Sequence, residues 1–450
     1  MSVRLIETMS TTEPLDEIFA DVSIIQAMLD FEVALARAQG QFKVIPPSAV
    51  VAIKRAAHAD DYDAPALAQE TLRAGTPGIP LVKALRKKVQ QENAAAADFV
   101  HWGATSQDVA DTALVLVLKK AVPFLDADLV RIDKSLRRLA AKHKNTILMG
   151  RALLQPAPPV TMALKAAGWL ASIRRGRARL NHAASEALVV QLGGASGTLA
   201  AMGDRGIEVG ELVAKHLGLT FPDGPWHTHR DRLAELVCAC GILTGSLGKM
   251  ARDISLLMQG EVGEVAEPGG AGRGGSSTMP QKRNPIASAI ALAAASRVPG
   301  LTAAFLSQMV QEHERAVGGW QAEWPTIAAV IQATGAAAAA MAEAAEGLTV
   351  DPMRMAKNLG ATRGAIFAEK AALLLCEQTG REAAHQILER ATAPGQLRNR
   401  TLTQALAEMP DIHLEKSALA KLEDPQDYLG SAIEFTNRLS RSSNKRRHKK

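Results

Sequence analysis

Two seams of apolar residues constrain this chain more than any other feature. Leu236, Cys240, Leu243, Leu247, Met250, Ile254 and Leu257 recur at alternating spacings of four and three, and Leu125, Leu129, Ile132, Leu136 and Leu139 repeat the rhythm. That period keeps one apolar stripe on one side of a helix and specifies helix-on-helix packing over several turns. A further helix is expected after Pro158-Pro159, continuing past Leu180. Another should begin near Pro285 with Pro299 as a kink, and a third should cover the alanine-rich stretch from Ile327 to Glu346. Helices of about 30 residues, or roughly 45 Å at 1.5 Å per residue, describe an extended bundle. Strand signals are sparse, so the expected class is all-α.

Val350-Asp351-Pro352 reads as a break, an N-cap and a proline at the first helical position. The expected division is an N-terminal helical domain (1–112), a central long-helix bundle (113–350), a C-terminal helical domain (351–437) and a basic tail (438–450). At 450 residues, 47% hydrophobic and 22% charged, the chain has the make-up of a globular enzyme rather than a disordered protein. The net charge is +6, but the tail from Arg438 to Lys450 holds seven cations, leaving the rest near −1. The high pI therefore belongs to a tail, not to a basic face, and no nucleic-acid partner is expected. Cys238, Cys240 and Cys376 are an odd count, and the start has no signal-peptide pattern, so a cytoplasmic setting is expected. No apolar run reads as long enough to span a bilayer, so no membrane partner is expected.

The chemistry gathers in three polar segments. The first is His101-Trp102-Gly103-Ala104-Thr105-Ser106-Gln107-Asp108, which places an imidazole, two hydroxyls and an amide beside a helix start, where carboxylates are attracted. The second is Gly150-Arg151-Ala152-Leu153-Leu154-Gln155-Pro156. The third, Gly275-Ser276-Ser277-Thr278-Met279-Pro280-Gln281-Lys282-Arg283-Asn284-Pro285, follows the Gly-rich run that begins at Glu267. It packs hydroxyls, an amide and two cations into one short loop, where a cationic, water-poor setting suits a serine base. The run 269–275 lacks the GK[ST] of a nucleotide loop, and His313-Glu314 lacks the second histidine of a zinc-protease helix. His227 and His229 have no clear third ligand, so neither metal nor cofactor is expected.

The third segment resembles the signature loop of the fumarase/aspartase superfamily, and the three segments together resemble the regions that form its active sites. The resemblance covers nearly the whole chain. It implies a three-domain fumarase/aspartase-like protomer with a long central helical bundle, in a homotetramer whose active sites are shared between subunits. It also implies β-elimination, or its reverse, on a small polycarboxylate substrate. Ser276 then matches the general base. Ser277, Lys282 and Asn284 match positions that bind substrate and stabilise the charged intermediate, Thr105 and Ser106 match carboxylate-binding hydroxyls, and His101 and Gln155 match other site positions.

The departures from the pattern narrow the reading. Ala152 and Leu153 stand where most members have Thr-His, and Gly78-Ile79-Pro80-Leu81-Val82-Lys83 lacks the histidine of adenylosuccinate lyases. The chain resembles the bacterial 3-carboxy-cis,cis-muconate cycloisomerase branch, which also lacks the second-region histidine. The likeness extends through Pro225-Trp226-His227-Thr228-His229-Arg230-Asp231 and Gln311-Glu312-His313-Glu314-Arg315. A carboxylate leaving group needs little protonation, which fits the missing acid. A tricarboxylate calls for nearby cations, such as Lys282, His101, His229 or Arg315. Leu153, in place of a bulky aromatic, and Gln281, in place of a histidine, depart even from that branch. The alternative is a fumarate-releasing C–N or C–O lyase of the adenylosuccinate-lyase kind. A non-catalytic protein would be expected to have lost Ser276, Lys282 and Asn284.

Overall fold

In the computed structural model, residues 5–441 are described, apart from 271–273, 276–278, 280, 281, 394, 411, 413 and 414. The helices, in chain order, are α1 (Glu13–Ile18), α2 (Asp21–Gln41), α3 (Pro47–Ala56), α4 (Ala64–Ala74), α5 (Gly78–Glu92), α6 (Ser106–Lys142) and α7 (Met162–Ala187). They continue with α8 (Gly206–Leu217), α9 (Asp231–Leu257), α10 (Ile286–Ser307), α11 (Gly319–Gly347), α12 (Pro352–Gly360), α13 (Ala368–Thr379) and α14 (Arg381–Thr392). Short helices complete the C-terminal part. The all-α expectation holds, with two small antiparallel pairs added: β1 (Ile147–Ala152) with β2 (Gln155–Thr161), and β3 (Val265–Ala266) with β4 (Thr349–Val350).

The two seams lie on α9 and α6, and every one of their residues is buried. Each such side chain contributes about 1.5–3 kcal/mol of transfer free energy when fully buried. Close approach explains glycines on the neighbouring helices α7 and α11. A Cβ on Gly176 would lie 2.8 Å from Leu243 Cδ1, and one on Gly335 would lie 2.2 Å from Leu15 Cδ1.

The chain forms two contact units. One comprises Met1–Val130, Arg175–Gly248 and Ala289–Ala340; its core packs α2, α3 and α5 with the start of α6 and with α8. The other comprises Arg131–Arg174, Lys249–Ser288 and Met341–Lys450. It contains both strand pairs and a C-terminal core built on Leu375, Ile387, Leu388, Leu402 and Leu406. Thr112, placed at a domain boundary from sequence, lies inside α6. At the other boundary Asp351 does cap α12, its carboxylate accepting the Arg354 N–H at 2.9 Å, with Pro352 at the first helical position.

The structure goes beyond the sequence reading at two points. The segment 147–161 is a hairpin, although Pro156, Pro158 and Pro159 argue against a strand. In a two-stranded sheet both strands are edges, and an edge tolerates residues that cannot donate to a ladder. The second point concerns apolar length. Among the described residues, three helices, α9, α10 and α11, are long and apolar enough to cross a bilayer by length and composition. Uninterrupted runs miss them because each carries occasional charged residues. In α9 and α11 most of the apolar stretch is buried within the chain, as expected of helices that are apolar all round. In α10 only 22% of it is buried.

Candidate active site

The His101–Asp108 loop is shaped by its backbone. His101 and Gly103 both adopt left-handed conformations, with φ of 60° and 71°. The turn ends at Thr105, which precedes the first residue of α6. Asp108, three residues into the helix, reaches back so that its Oδ2 accepts the Thr105 N–H at 3.0 Å, one half of a capping box. The same carboxylate accepts the Gly193 N–H at 3.0 Å, the Gly194 N–H at 2.9 Å and a hydrogen bond with His227 Nε2 at 2.7 Å. One buried side chain thus fixes the helix start, the 193–194 turn and the 227 loop together.

One helical turn further along, Asp111 repeats the device. It accepts both terminal nitrogens of Arg230 (2.8 and 3.0 Å), Trp320 Nε1 (2.9 Å) and Gln107 Nε2 (3.1 Å). Arg230 also donates to Glu323, at 2.6 Å from Nη2, and stacks 4.7 Å from the Trp226 ring centroid. All three charged groups are inaccessible to solvent. Burial raises the Asp111 pKa, but Arg230, Trp320 and Gln107 outweigh it and hold the carboxyl below its ordinary value. For Glu323 burial prevails over Arg230, and the carboxyl lies above its ordinary value. One guanidinium serving two dry carboxylates leaves one of them the readier to take a proton.

Of the residues expected from sequence, this unit brings His101, Thr105, Ser106 and Arg315 to one region. No hydrogen bond within the described residues engages the Thr105 or Ser106 hydroxyl. His101 Nδ1 meets Glu32 Oε1 at 2.5 Å. Arg315 donates to Gln107 Oε1 at 3.0 Å, to the Gly194 carbonyl at 2.7 Å and to the Ala195 carbonyl at 3.2 Å. It touches the same loops as Asp108 and is a structural tie as much as a free cation. His227 pairs with Asp108, and His229 is exposed.

The second unit carries the other two segments. Gln155 begins β2 and is exposed, paired across the hairpin with Ala152. Between them Leu153 and Leu154 both adopt left-handed φ, 51° and 64°, and are 97% and 75% exposed. Close to the hairpin turn Arg151 forms a bidentate pair with buried Glu264 (2.7 and 3.0 Å), which also accepts from Asn358 at 2.8 Å.

In the signature loop Lys282 is exposed and the Asn284 N–H donates to the Gly274 carbonyl at 2.9 Å. Glu267 closes the loop's base. It accepts the Ala287 and Ser288 N–H groups, each at 2.9 Å, and the Ser288 hydroxyl at 2.6 Å. Ser276, Ser277 and Gln281 lie outside the described residues.

Sequence reasoning missed Glu32, Asp108, Asp111, Arg230, Glu323 and Glu267 as parts of this machinery. The Asp108/Asp111 spacing, one helical turn on the buried face of α6, was the available signal.

Comparison with known proteins places these geometries in a family. Residues 7–300 match the family described as Lyase, and residues 364–439 match that described as Adenylosuccinate lyase C-terminus. The chain is 48% identical over 421 residues to a 3-carboxy-cis,cis-muconate cycloisomerase of Bradyrhizobium diazoefficiens, covering 93% of each. It is 46% identical to one from Pseudomonas aeruginosa, covering 97% of this chain and 95% of that one. The crystal structure of 3-carboxy-cis,cis-muconate lactonizing enzyme from Pseudomonas putida superposes with a TM-score of 0.90 at 44% identity, covering 97% of this chain and 98% of that one.

Proposed function

The chain belongs to the fumarase/aspartase superfamily of lyases, and from that premise we propose that it is an intramolecular lyase. Its reaction interconverts 3-carboxy-cis,cis-muconate and 4-carboxymuconolactone in aromatic (protocatechuate) degradation. The observation that carries this reading is identity of 46–48% to cycloisomerases across almost the whole chain.

Read from the lactone, the reaction removes a proton next to a carboxylate, giving an aci-carboxylate. The ring C–O bond then breaks and its oxygen leaves as a carboxylate. Ser276 takes the proton, and Lys282, Asn284 and Ser277 stabilise the dianionic end. Thr105 and Ser106 hold a second carboxylate at the start of α6, where unpaired N–H groups and two free hydroxyls favour an anion. The leaving carboxylate is a weak base and needs no acid at Leu153, which sits at the exposed hairpin tip. We assign Gln155 and Arg315 to substrate binding as well.

The site is completed by neighbouring copies in a homotetramer. The support is α10. Its exposed positions include Ala289, Ala293, Ser296, Gly300 and Ala303, a run of small residues along a helix whose apolar stretch the chain itself leaves largely uncovered.

The match of residues 364–439 to the adenylosuccinate lyase C-terminus keeps a fumarate-releasing lyase as the second reading. A substrate panel followed by ultraviolet absorbance separates the two. Loss of the muconate chromophore with lactone formation is expected. Fumarate release from adenylosuccinate or argininosuccinate without muconate turnover would overturn the proposal. Ser276→Ala is expected to abolish turnover while leaving the oligomer intact, and near-normal activity in that variant would remove Ser276 as the base.

A further inference from the structure

Glu32 is a carboxylate on α2 with 1% of its side chain exposed, and among the described residues its one hydrogen-bond partner is His101. An ionised carboxylate out of water requires a counter-charge, and a neutral imidazole does not supply one. His101 is held in place by a left-handed backbone, a conformation that costs about 1–3 kcal/mol in a residue other than glycine and persists where the surroundings over-determine it. The ring is itself largely buried, with 14% of the side chain exposed.

We propose that Glu32 is a positioning residue that keeps His101 as a fixed imidazolium, and that this cation binds a substrate carboxylate beside Thr105 and Ser106 instead of exchanging protons during turnover. The inference rests on the reading of a polycarboxylate substrate.

Three observations converge on it. Nδ1 is committed to Glu32 at 2.5 Å, a charge-assisted contact. A protonated ring has a second donor, Nε2–H, on the loop that also carries the two unengaged hydroxyls, where the Thr105 backbone is an acceptor that a substrate carboxylate joins or replaces. The charged groups facing the ring are Glu32 from α2 and Asp108 from α6, both acidic; Asp108 also shares a hydrogen bond with His227. Burial alone disfavours the imidazolium, but Glu32, Asp108 and the Thr105 backbone together outweigh it, so the His101 pKa lies above the ordinary histidine value. A cation of this kind attracts a carboxylate and holds it. It is a poor acid, because releasing its proton would leave Glu32 uncompensated.

The test begins without substrate. The His101 ring of the full chain is followed by proton NMR against pH, assigned by its absence in His101→Asn. The expected result is a titration well above the ordinary value of about 6.5, returning toward that value in Glu32→Gln. A wild-type ring that titrates at or below the ordinary value overturns the proposal.

Affinity for tricarballylate, a non-reacting tricarboxylate, is then measured by calorimetry at about pH 5.5 and about pH 8. Loss of a charge-assisted hydrogen bond corresponds to at least about tenfold weaker binding. That loss is expected for Glu32→Gln at the higher pH only, with recovery at the lower pH, where the ring is protonated in either protein. For the muconate substrate the same variant should raise KM more than it lowers kcat. Unchanged pH dependence in Glu32→Gln, or in the uncharged Glu32→Leu if the first variant does not fold, overturns the proposal. Because the titration needs no turnover, failure of the substrate assignment alone leaves it standing.

Discussion

Asp108 and His227 meet at 2.7 Å with neither side chain open to solvent. The pair is the joint at which the start of α6, the 193–194 turn and the 227 loop are held in register. Asp108 accepts three backbone N–H groups besides the imidazole, so the carboxylate rather than the ring is the indispensable half. Asp108→Ala leaves Thr105, Gly193 and Gly194 N–H groups without their acceptor, at about 1–3 kcal/mol for each one that stays buried. A loss of roughly 3–5 kcal/mol in urea unfolding is expected, together with loss of activity. A loss under about 1 kcal/mol would mean that water replaces the carboxylate and that the joint is not structural.

The Arg230 cluster predicts a pH profile of stability. Asp111 has a depressed pKa, so its contribution is fully present above the ordinary aspartate value and is lost as pH falls through the depressed one. Glu323 has a raised pKa, so the folded chain takes up its proton first. Lowering the pH from that raised value toward the ordinary glutamate range therefore adds stability. The expected curve rises on mild acidification and then collapses. Glu323→Gln should abolish the rise, while Arg230→Met should cost about 3–5 kcal/mol by leaving a buried carboxylate unpaired. Denaturant midpoints between about pH 4 and pH 8 decide it, and a wild-type curve that falls monotonically on acidification would refute the Glu323 assignment.

The helices of this fold were legible because a seam such as Leu236 to Leu257 is a local property: each residue's face is set by its neighbours three and four positions away. The His101-to-Asp108 segment was legible as a polar helix start for the same reason. What joins it to the molecule was not. Glu32 is 69 residues from His101, and Arg230 is 119 from Asp111, with nothing local to mark either as paired. The hairpin at 147–161 was hidden by its prolines, which count against a strand unless both strands are known to be edges.

Leu153 and Leu154 give the hairpin an unfavourable turn. A two-residue hairpin loop with left-handed φ at both positions is the setting that favours Asn-Gly, and here it holds two exposed leucines. Leu153→Asn with Leu154→Gly should raise the melting temperature by a few degrees, for a gain of about 1–2 kcal/mol. If the leucines face substrate or a neighbouring copy, the same variant raises KM. An unchanged KM would assign the strain no role at the site.

Glu267 ties the two ends of the signature loop through Ala287 and Ser288. Glu267→Ala removes the acceptor for two N–H groups at the start of α10 and for one hydroxyl. Capping losses of this kind cost about 0.5–2 kcal/mol. The expected signature is faster amide exchange at Ala287 and Ser288 and a kcat lowered about tenfold or more, with the global unfolding midpoint changed little. Normal kcat alongside accelerated exchange would show that the loop works without its clasp.

Gly300 tests the oligomer. A Cβ at this position meets nothing within 4 Å in the chain itself, and the residue is exposed on α10. Within an isolated chain, Gly300→Leu should be neutral or stabilising by up to about 1 kcal/mol, from helix propensity alone. If the small-residue face of α10 packs against other copies, the same substitution forces their backbones apart. Light scattering after size exclusion should then show loss of the proposed tetramer, and activity should fall with it if the site is shared as proposed. Circular dichroism separates this from unfolding: helicity is kept while mass and turnover drop together. A Gly300→Leu chain with unchanged mass and unchanged turnover would exclude α10 as the interface.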